Sequence, residues 1–256
     1  MGDDRRTAIV TGGSRNIGRA VVLELAARGY TVVVNARTHS DALDATVEDA
    51  RAAGGDAVAV PGDVADPTLA PTLVAAAMER TGRADILVHV PAIRPVQPFL
   101  ETSPDDFDEV LRVNLRSLYL ACRAVLPVML EQRWGRIIGF SGAKAFRGHR
   151  IGAHVAASKA GVVGLIRGLA YEFGDQGITA NVVVPGPFDT ERADGFELAS
   201  GRRYGAAGSP AGRNLPPVGR LGDPSEVGHL CAYLVSDEAG FVTGQSLHIN
   251  GGVDFY

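Results

Sequence analysis

Apolar positions along this chain fall into two alternating rhythms. Short aliphatic or β-branched runs occur at 7–11, 31–35, 57–61, 85–89, 136–140, 179–184 and 246–249. Each is too short for a stable helix and is bounded by turn formers, which predicts strands. Between them the apolar residues recur with helical spacing, over 17–27, 41–53, from Ser103-Pro104 to 130, and from the segment around Lys159 to about 173. Start signals agree with that division. Ser40 is placed as an N-cap, and Asp66-Pro67, Ser103-Pro104 and Asp223-Pro224 each offer a capping side chain followed by proline at the first helical position.

Strands that alternate with helices of this length pair in parallel through right-handed crossovers. The expectation is an α/β chain forming a single domain over residues 1–256, with a doubly wound parallel sheet of about seven strands and helices on both faces. One stretch breaks the pattern. Residues 187–218 are rich in Gly, Pro, Ser and Arg and show no periodicity, which predicts a lid or binding loop over a substrate.

Composition narrows the class of ligand. At 256 residues with 46% hydrophobic content the chain can bury a large core, and 32 glycines suit many tight strand–helix turns. The formal net charge of −4, with acids and bases interspersed, gives no footing for nucleic acid. Cys122 and Cys231 lie in apolar surroundings and are expected as buried free thiols. No metal site is expected. No run of 18 or more apolar residues and no leader-like start is present, so no membrane partner and a cytoplasmic location are expected.

Candidate chemistry begins after the first strand. Thr11-Gly12-Gly13-Ser14-Arg15-Asn16-Ile17-Gly18 sits where a phosphate-binding turn belongs, with the free N–H groups of the next helix behind it. Asn16 is expected to take left-handed backbone angles, which asparagine tolerates better than other side chains apart from glycine. The second strand ends in Asn35-Ala36-Arg37 with no acid to hold a ribose 2′-hydroxyl, and Arg15 offers a second guanidinium on the same side. Two guanidiniums favour a 2′-phosphate, hence NADP(H), with solvated surface arginines as the alternative.

The ordered motifs from about residue 5 to 252 resemble the short-chain dehydrogenase/reductase family, especially members similar to 3-oxoacyl-acyl-carrier-protein reductases. The turn resembles the family's Thr-Gly-x-x-x-Gly-x-Gly, with Asn16 at the middle glycine. The resemblance implies a Rossmann fold and cofactor contacts from Gly12, Ser14, Arg15, Asn16, Ile17 and Gly18. It adds Arg37, the adenine-side Asp63 and Val64, and Pro185, Gly186, Phe188 and Thr190 near the nicotinamide. At His89-Val90-Pro91-Ala92 the family's Asn-Asn-Ala-Gly is altered: Ala92 adds a methyl beside the ribose and Pro91 lacks an N–H. His89 itself is expected to be a strand-end histidine bonded to nearby backbone.

The same resemblance assigns Lys159 to the ribose-holding lysine and Asn114 to the asparagine that anchors a water. It also exposes two departures. One helical turn before Lys159 the family's tyrosine is replaced by Val155, and Gly142 stands at the catalytic serine, leaving Ser141 as a substitute only if the strand end bulges. Three sources could replace the missing acid: a side chain, with His149 preferred to His154; water relayed through Asn114 and Lys159; or a substrate that needs little acid. Arg94 and the cations of 144–150 favour an anionic or strongly polar small-molecule substrate, with solvated loop charges as the alternative.

The leading expectation is an NADP(H)-dependent ketoreductase or ene/imine reductase with a non-standard site. An NADP-binding regulatory or scaffold protein, and a non-redox lyase, dehydratase or cyclase, remain as alternatives. The family further implies a homotetramer or homodimer built on the helix containing 112–130 and the C-terminal end.

Overall fold

The computed structural model describes residues 5–148, 150–190 and 215–255, together with the backbone of 196–197 and 203–204. Its centre is one sheet of β1 (Thr7–Thr11), β2 (Thr31–Ala36), β3 (Asp56–Pro61), β4 (Ile86–His89), β5 (Gly135–Phe140), β6 (Ile178–Pro185) and β9 (Ser246–Ile249). The strands are parallel throughout and ordered β3-β2-β1-β4-β5-β6-β9. The order reverses between β1 and β4, so their C-terminal ends open the crevice where doubly wound sheets bind ligands.

Alternate strand residues feed two separate cores, which explains why the strands read as continuous apolar runs. On one face Val10, Val32, Val34, Val88 and Ile138 pack against α1 (Asn16–Ala27), α2 (Asp41–Ala52) and α8 (Pro224–Leu234). On the other, Ile9, Val33, Leu87, Ile137 and Val182 meet α3 (Leu69–Thr81), α5 (Ser117–Gln132) and α7 (Ala153–Phe173). Each such aliphatic side chain contributes about 1.5–3 kcal/mol by leaving water. Cys122 and Cys231 are free thiols inside these two cores.

The caps at Ser40, Ser103 and Asp223 form, the last as a full capping box with Glu226. The start of α3 is a correction. Asp66 accepts from the Thr68 N–H at 2.8 Å and closes a separate turn, so the helix begins only at Leu69. The expected helix from Ser103-Pro104 is also interrupted. After α4 (Pro104–Leu111), Arg112–Arg116 form a π-turn before α5 begins. The whole Pro104–Gln132 run is long and apolar enough to cross a membrane, but its apolar face lies on the second core.

Between β5 and α7 lies the short helix α6 (Lys144–Arg147), docked on β9 through Phe146 and His248, whose rings meet edge-on at 4.8 Å. Within the expected lid, Phe196–Glu197 (β7) and Arg203–Tyr204 (β8) pair antiparallel. The rest of 191–214, and His149, lie outside the described residues.

Candidate active site

The turn after β1 is shaped for close approach. Gly12 sits at φ 69°, and a Cβ on Gly18 would collide with the Gly12 carbonyl oxygen, so only glycine lets α1 start there. Asn16 takes φ 49°, the left-handed angle expected of it. The turn is tied down from outside, by Gly13 N–H donating to the Asn35 carbonyl at 2.8 Å and Thr46 Oγ1 to the Ser14 carbonyl at 3.2 Å. Arg15 caps α1 without any side-chain bond, and no acid occupies the first helical turn. The helix N-terminus therefore stands beside two exposed guanidiniums, Arg15 and Arg37, neither of which is ion-paired among the described residues. This cradle fits a dinucleotide diphosphate.

Neighbouring expectations land around the same crevice. Ile17 leans on the first core. Pro91 packs against the turn, with its Cγ 3.1 Å from where a Gly12 Cβ would stand, and Ala92 follows it. Asp63 is braced rather than free: Oδ1 accepts from the Ala65 N–H at 3.0 Å, and Oδ2 lies 3.7 Å from Arg112. Val64 packs partly on the second core. Pro185 ends β6 paired with Ile249, and the Gly186 N–H donates to the Ile249 carbonyl. Phe188 packs on Gly222, with Thr190 two residues beyond.

His89 occupies the floor of the crevice, and its partners differ from the expected backbone. Ser117 Oγ donates to the Val113 carbonyl, so it accepts from His89 Nε2–H at 2.8 Å. That leaves Nδ1 to accept from Thr11 Oγ1 at 2.9 Å. Burial, reinforced by the Lys159 charge, pushes this imidazole down to about 3, so it stays neutral and acts as a bolt between β1, β4 and α5. Sequence reasoning missed Thr11 and Ser117 because nothing local marks a hydroxyl as a histidine's partner.

Asn114 lies on the π-turn, which directs it inward. Its Oδ1 accepts from the Ile93 N–H at 2.7 Å, while Nδ2 donates to the Ile93 carbonyl at 2.9 Å and to Ser158 Oγ at 3.0 Å. Both amide hydrogens are thus used in fastening the loop after β4 to α7. Ser141 is likewise committed. Its hydroxyl donates to the Lys159 carbonyl at 2.9 Å, which braces the end of β5 against α7. The strand end does not bulge outward, as the Ser141 N–H still bonds the Val183 carbonyl. A Cβ built on Gly142 meets nothing within 4 Å, so that position faces open space.

Lys159 is buried, with Nζ donating to the Phe140 carbonyl at 2.7 Å. Desolvation, then the charge of Arg94, pushes its ammonium down to about 7. Val155 is buried one turn before it. His154 is buried too, and neither ring nitrogen has a partner. Among the described residues no group of three or more His, Cys, Asp or Glu side chains could hold a metal ion.

Known proteins match almost the whole of the chain that builds this crevice. The family model described as enoyl-(acyl carrier protein) reductase matches residues 12–254. The 3-oxoacyl-(acyl-carrier-protein) reductase FabG of Staphylococcus aureus is 32% identical over 97% of this chain and 98% of its own length. Its Escherichia coli counterpart is 33% identical over 99% of both. A short-chain dehydrogenase/reductase from Serratia marcescens superposes with a TM-score of 0.84 at 35% identity, over 96% of this chain and 97% of that one. A Sinorhizobium meliloti dehydrogenase/reductase gives 0.86 at 34%, over 98% and 95%. The chain belongs to the short-chain dehydrogenase/reductase family. As a short-chain dehydrogenase/reductase it is an oxidoreductase by descent, with the family's seven-stranded parallel sheet.

Proposed function

We propose that the protein is an NADP(H)-dependent reductase that acts on a polar ketone or enone without a tyrosine–serine acid pair. One observation carries this reading: a well-formed nucleotide turn, with two guanidiniums that no described acid pairs, stands beside a buried lysine whose helical partner is Val155. Aromatic or polyketide-like substrates suit it, and 3-oxoacyl thioesters, the substrates named for the FabG relatives, are the reference compounds to try.

When bound, the nicotinamide supplies hydride to an electrophilic carbon. Gly12, Ser14, Asn16, Ile17 and Gly18 hold the diphosphate, Arg15 and Arg37 the 2′-phosphate, Asp63, Val64 and Ala92 the adenosine and ribose side, and Pro185, Gly186, Phe188 and Thr190 the carboxamide side. Lys159 Nζ, pushed down to about 7, can carry a proton and release it near neutral pH, which suits a relay through water to the substrate oxygen. His149 is the competing donor. Positioning alone can supply about 7–11 kcal/mol of a barrier, so loss of the acid pair does not silence such a site.

Stereospecific transfer of deuterium from labelled NADPH into product, abolished in Lys159→Ala, is the expected result. Tight NADPH binding with no oxidation across a carbonyl and enone panel would leave a cofactor-binding protein without chemistry. Product formation with unchanged reduced-nicotinamide absorbance would point to a lyase, dehydratase or cyclase.

Cofactor choice has its own check. Arg37→Met is expected to weaken NADPH about tenfold while leaving NADH unchanged, read by nicotinamide fluorescence, since one charge-assisted phosphate contact is removed. Equal loss for both cofactors would assign Arg37 to the diphosphate or to the fold. We further propose a cytoplasmic location, and a homotetramer or homodimer supported by the groove of about 700 Å³ along α4, the π-turn and the start of α5, where Leu111, Leu115 and Tyr119 lie among charged residues.

A further inference from the structure

The π-turn that aims Asn114 at Ile93 and Ser158 sends a second side chain elsewhere. Residues two apart on a helical turn do not share a face, so Arg112 leaves toward the turn that follows β3. There its Nη2 lies 3.7 Å from Asp63 Oδ2. The same guanidinium is anchored on α4, with Nε and Nη2 donating to the two Glu109 carboxylate oxygens at 2.5 and 2.9 Å. The hydrogen bonds to Glu109, and after them the charge of Asp63, push the guanidinium up. A cation held by a two-point fork keeps its direction, which a free surface arginine does not.

The π-turn reaches the segment after β3 at a second point. Arg116 donates to the Ala65 carbonyl at 3.4 Å, four residues on from Arg112. Asp63 is fixed from its own side as well, since Oδ1 accepts from the Ala65 N–H at 3.0 Å and its carbonyl from the Asp66 N–H at 2.9 Å. The plane of an aspartate carboxylate is otherwise soft, because rotation about its last bond has a broad, nearly two-fold profile. One contact on each oxygen sets that plane. The Asp63 side chain stays 35% exposed, so Oδ2 can still accept from another donor.

We propose that Arg112 is a positioning residue for the cofactor: it orients the Asp63 carboxylate to accept from the exocyclic amine of adenine, so that adenine dinucleotides are preferred to hypoxanthine ones. This assignment rests on the NADP(H) reading above. The probes are NADPH and its hypoxanthine analogue, deamino-NADPH, which presents a carbonyl oxygen in place of the amine, with binding read by nicotinamide fluorescence. The native protein is expected to bind NADPH about tenfold more tightly, the effect of one hydrogen bond to a charged group. Asp63→Ala should erase that ratio. Arg112→Met should lower it about threefold, the scale of a partly exposed ion pair, and Arg112→Lys, which keeps a cation opposite Asp63, should retain it. In the Asp63→Ala background Arg112→Met should leave the ratio unchanged. A merely structural role would weaken both dinucleotides alike and move no ratio. Equal binding of the two by the native protein, or a preference that Arg112→Met leaves intact, would overturn the assignment while NADPH still binds. Failure to bind either dinucleotide would remove the NADP(H) reading and this assignment with it.

Discussion

The double variant Val155→Tyr with Gly142→Ser is expected to reduce simple ketones about 10²–10⁴-fold faster than the wild type, the usual contribution of a positioned general acid. Val155 is buried on α7 one turn before Lys159, so a tyrosine there shares the helix face with an ammonium already pushed down to about 7. The serine costs nothing sterically, because a Cβ at Gly142 meets no atom within 4 Å. The tyrosine does carry a cost: enlarging a buried side chain destabilises by about 1–3 kcal/mol unless its ring enters the open volume. Steady-state NADPH oxidation across a ketone panel measures the gain, with urea midpoints to follow the cost. A double variant that binds NADPH and stays folded yet gains nothing would count against the proposed loss of a tyrosine–serine acid pair as the limit on rate. The single Gly142→Ser variant should change little, since serine polarises a carbonyl that still lacks a donor.

Most of the scaffold was legible because its signals are local and repeated. The seven strands of the main sheet fall within a residue or so of the apolar runs, and the caps at Ser40, Ser103 and Asp223 form as their spacing implies. The misreadings share one cause, a local rule outvoted by a nearby or distant partner. Asp66 looked like a helix cap but closes a turn with Thr68. The π-turn at Arg112–Arg116 has no sequence signature, yet it aims Asn114 at Ile93 and Ser158.

The site shows the same division. The nucleotide turn is contiguous in sequence, so glycine spacing and the left-handed Asn16 could be foreseen. His89, Thr11 and Ser117 come from three separate elements, and only the fold brings them together. Ser141 could not be placed from sequence either. Whether its hydroxyl faces a substrate or the Lys159 carbonyl is set by how α7 crosses the end of β5, which is a packing outcome.

The stability of the cofactor-free protein is expected to climb between about pH 7 and pH 10.5 in a way that Lys159→Met removes. Lys159 sits at about 7 in the fold against 10.5 for a solvated lysine, because burial strips water from an ammonium whose bonding partner is the neutral Phe140 carbonyl. Below 7 both folded and unfolded chains carry the proton, and the full cost of burying the charge is present. Between 7 and 10.5 the unfolded chain binds a proton that the folded one has released, so stability rises with pH, by at most about 1.4 kcal/mol per unit. Above 10.5 both forms are neutral and the rise stops. Lys144, also pushed down, is common to both proteins, as is the neutral His89. The difference in urea midpoint between Lys159→Met and wild type should therefore be largest below pH 7 and shrink through the window. A difference independent of pH would mean that Lys159 keeps an ordinary ammonium, and the proton relay assigned to its Nζ at neutral pH would lose its physical basis.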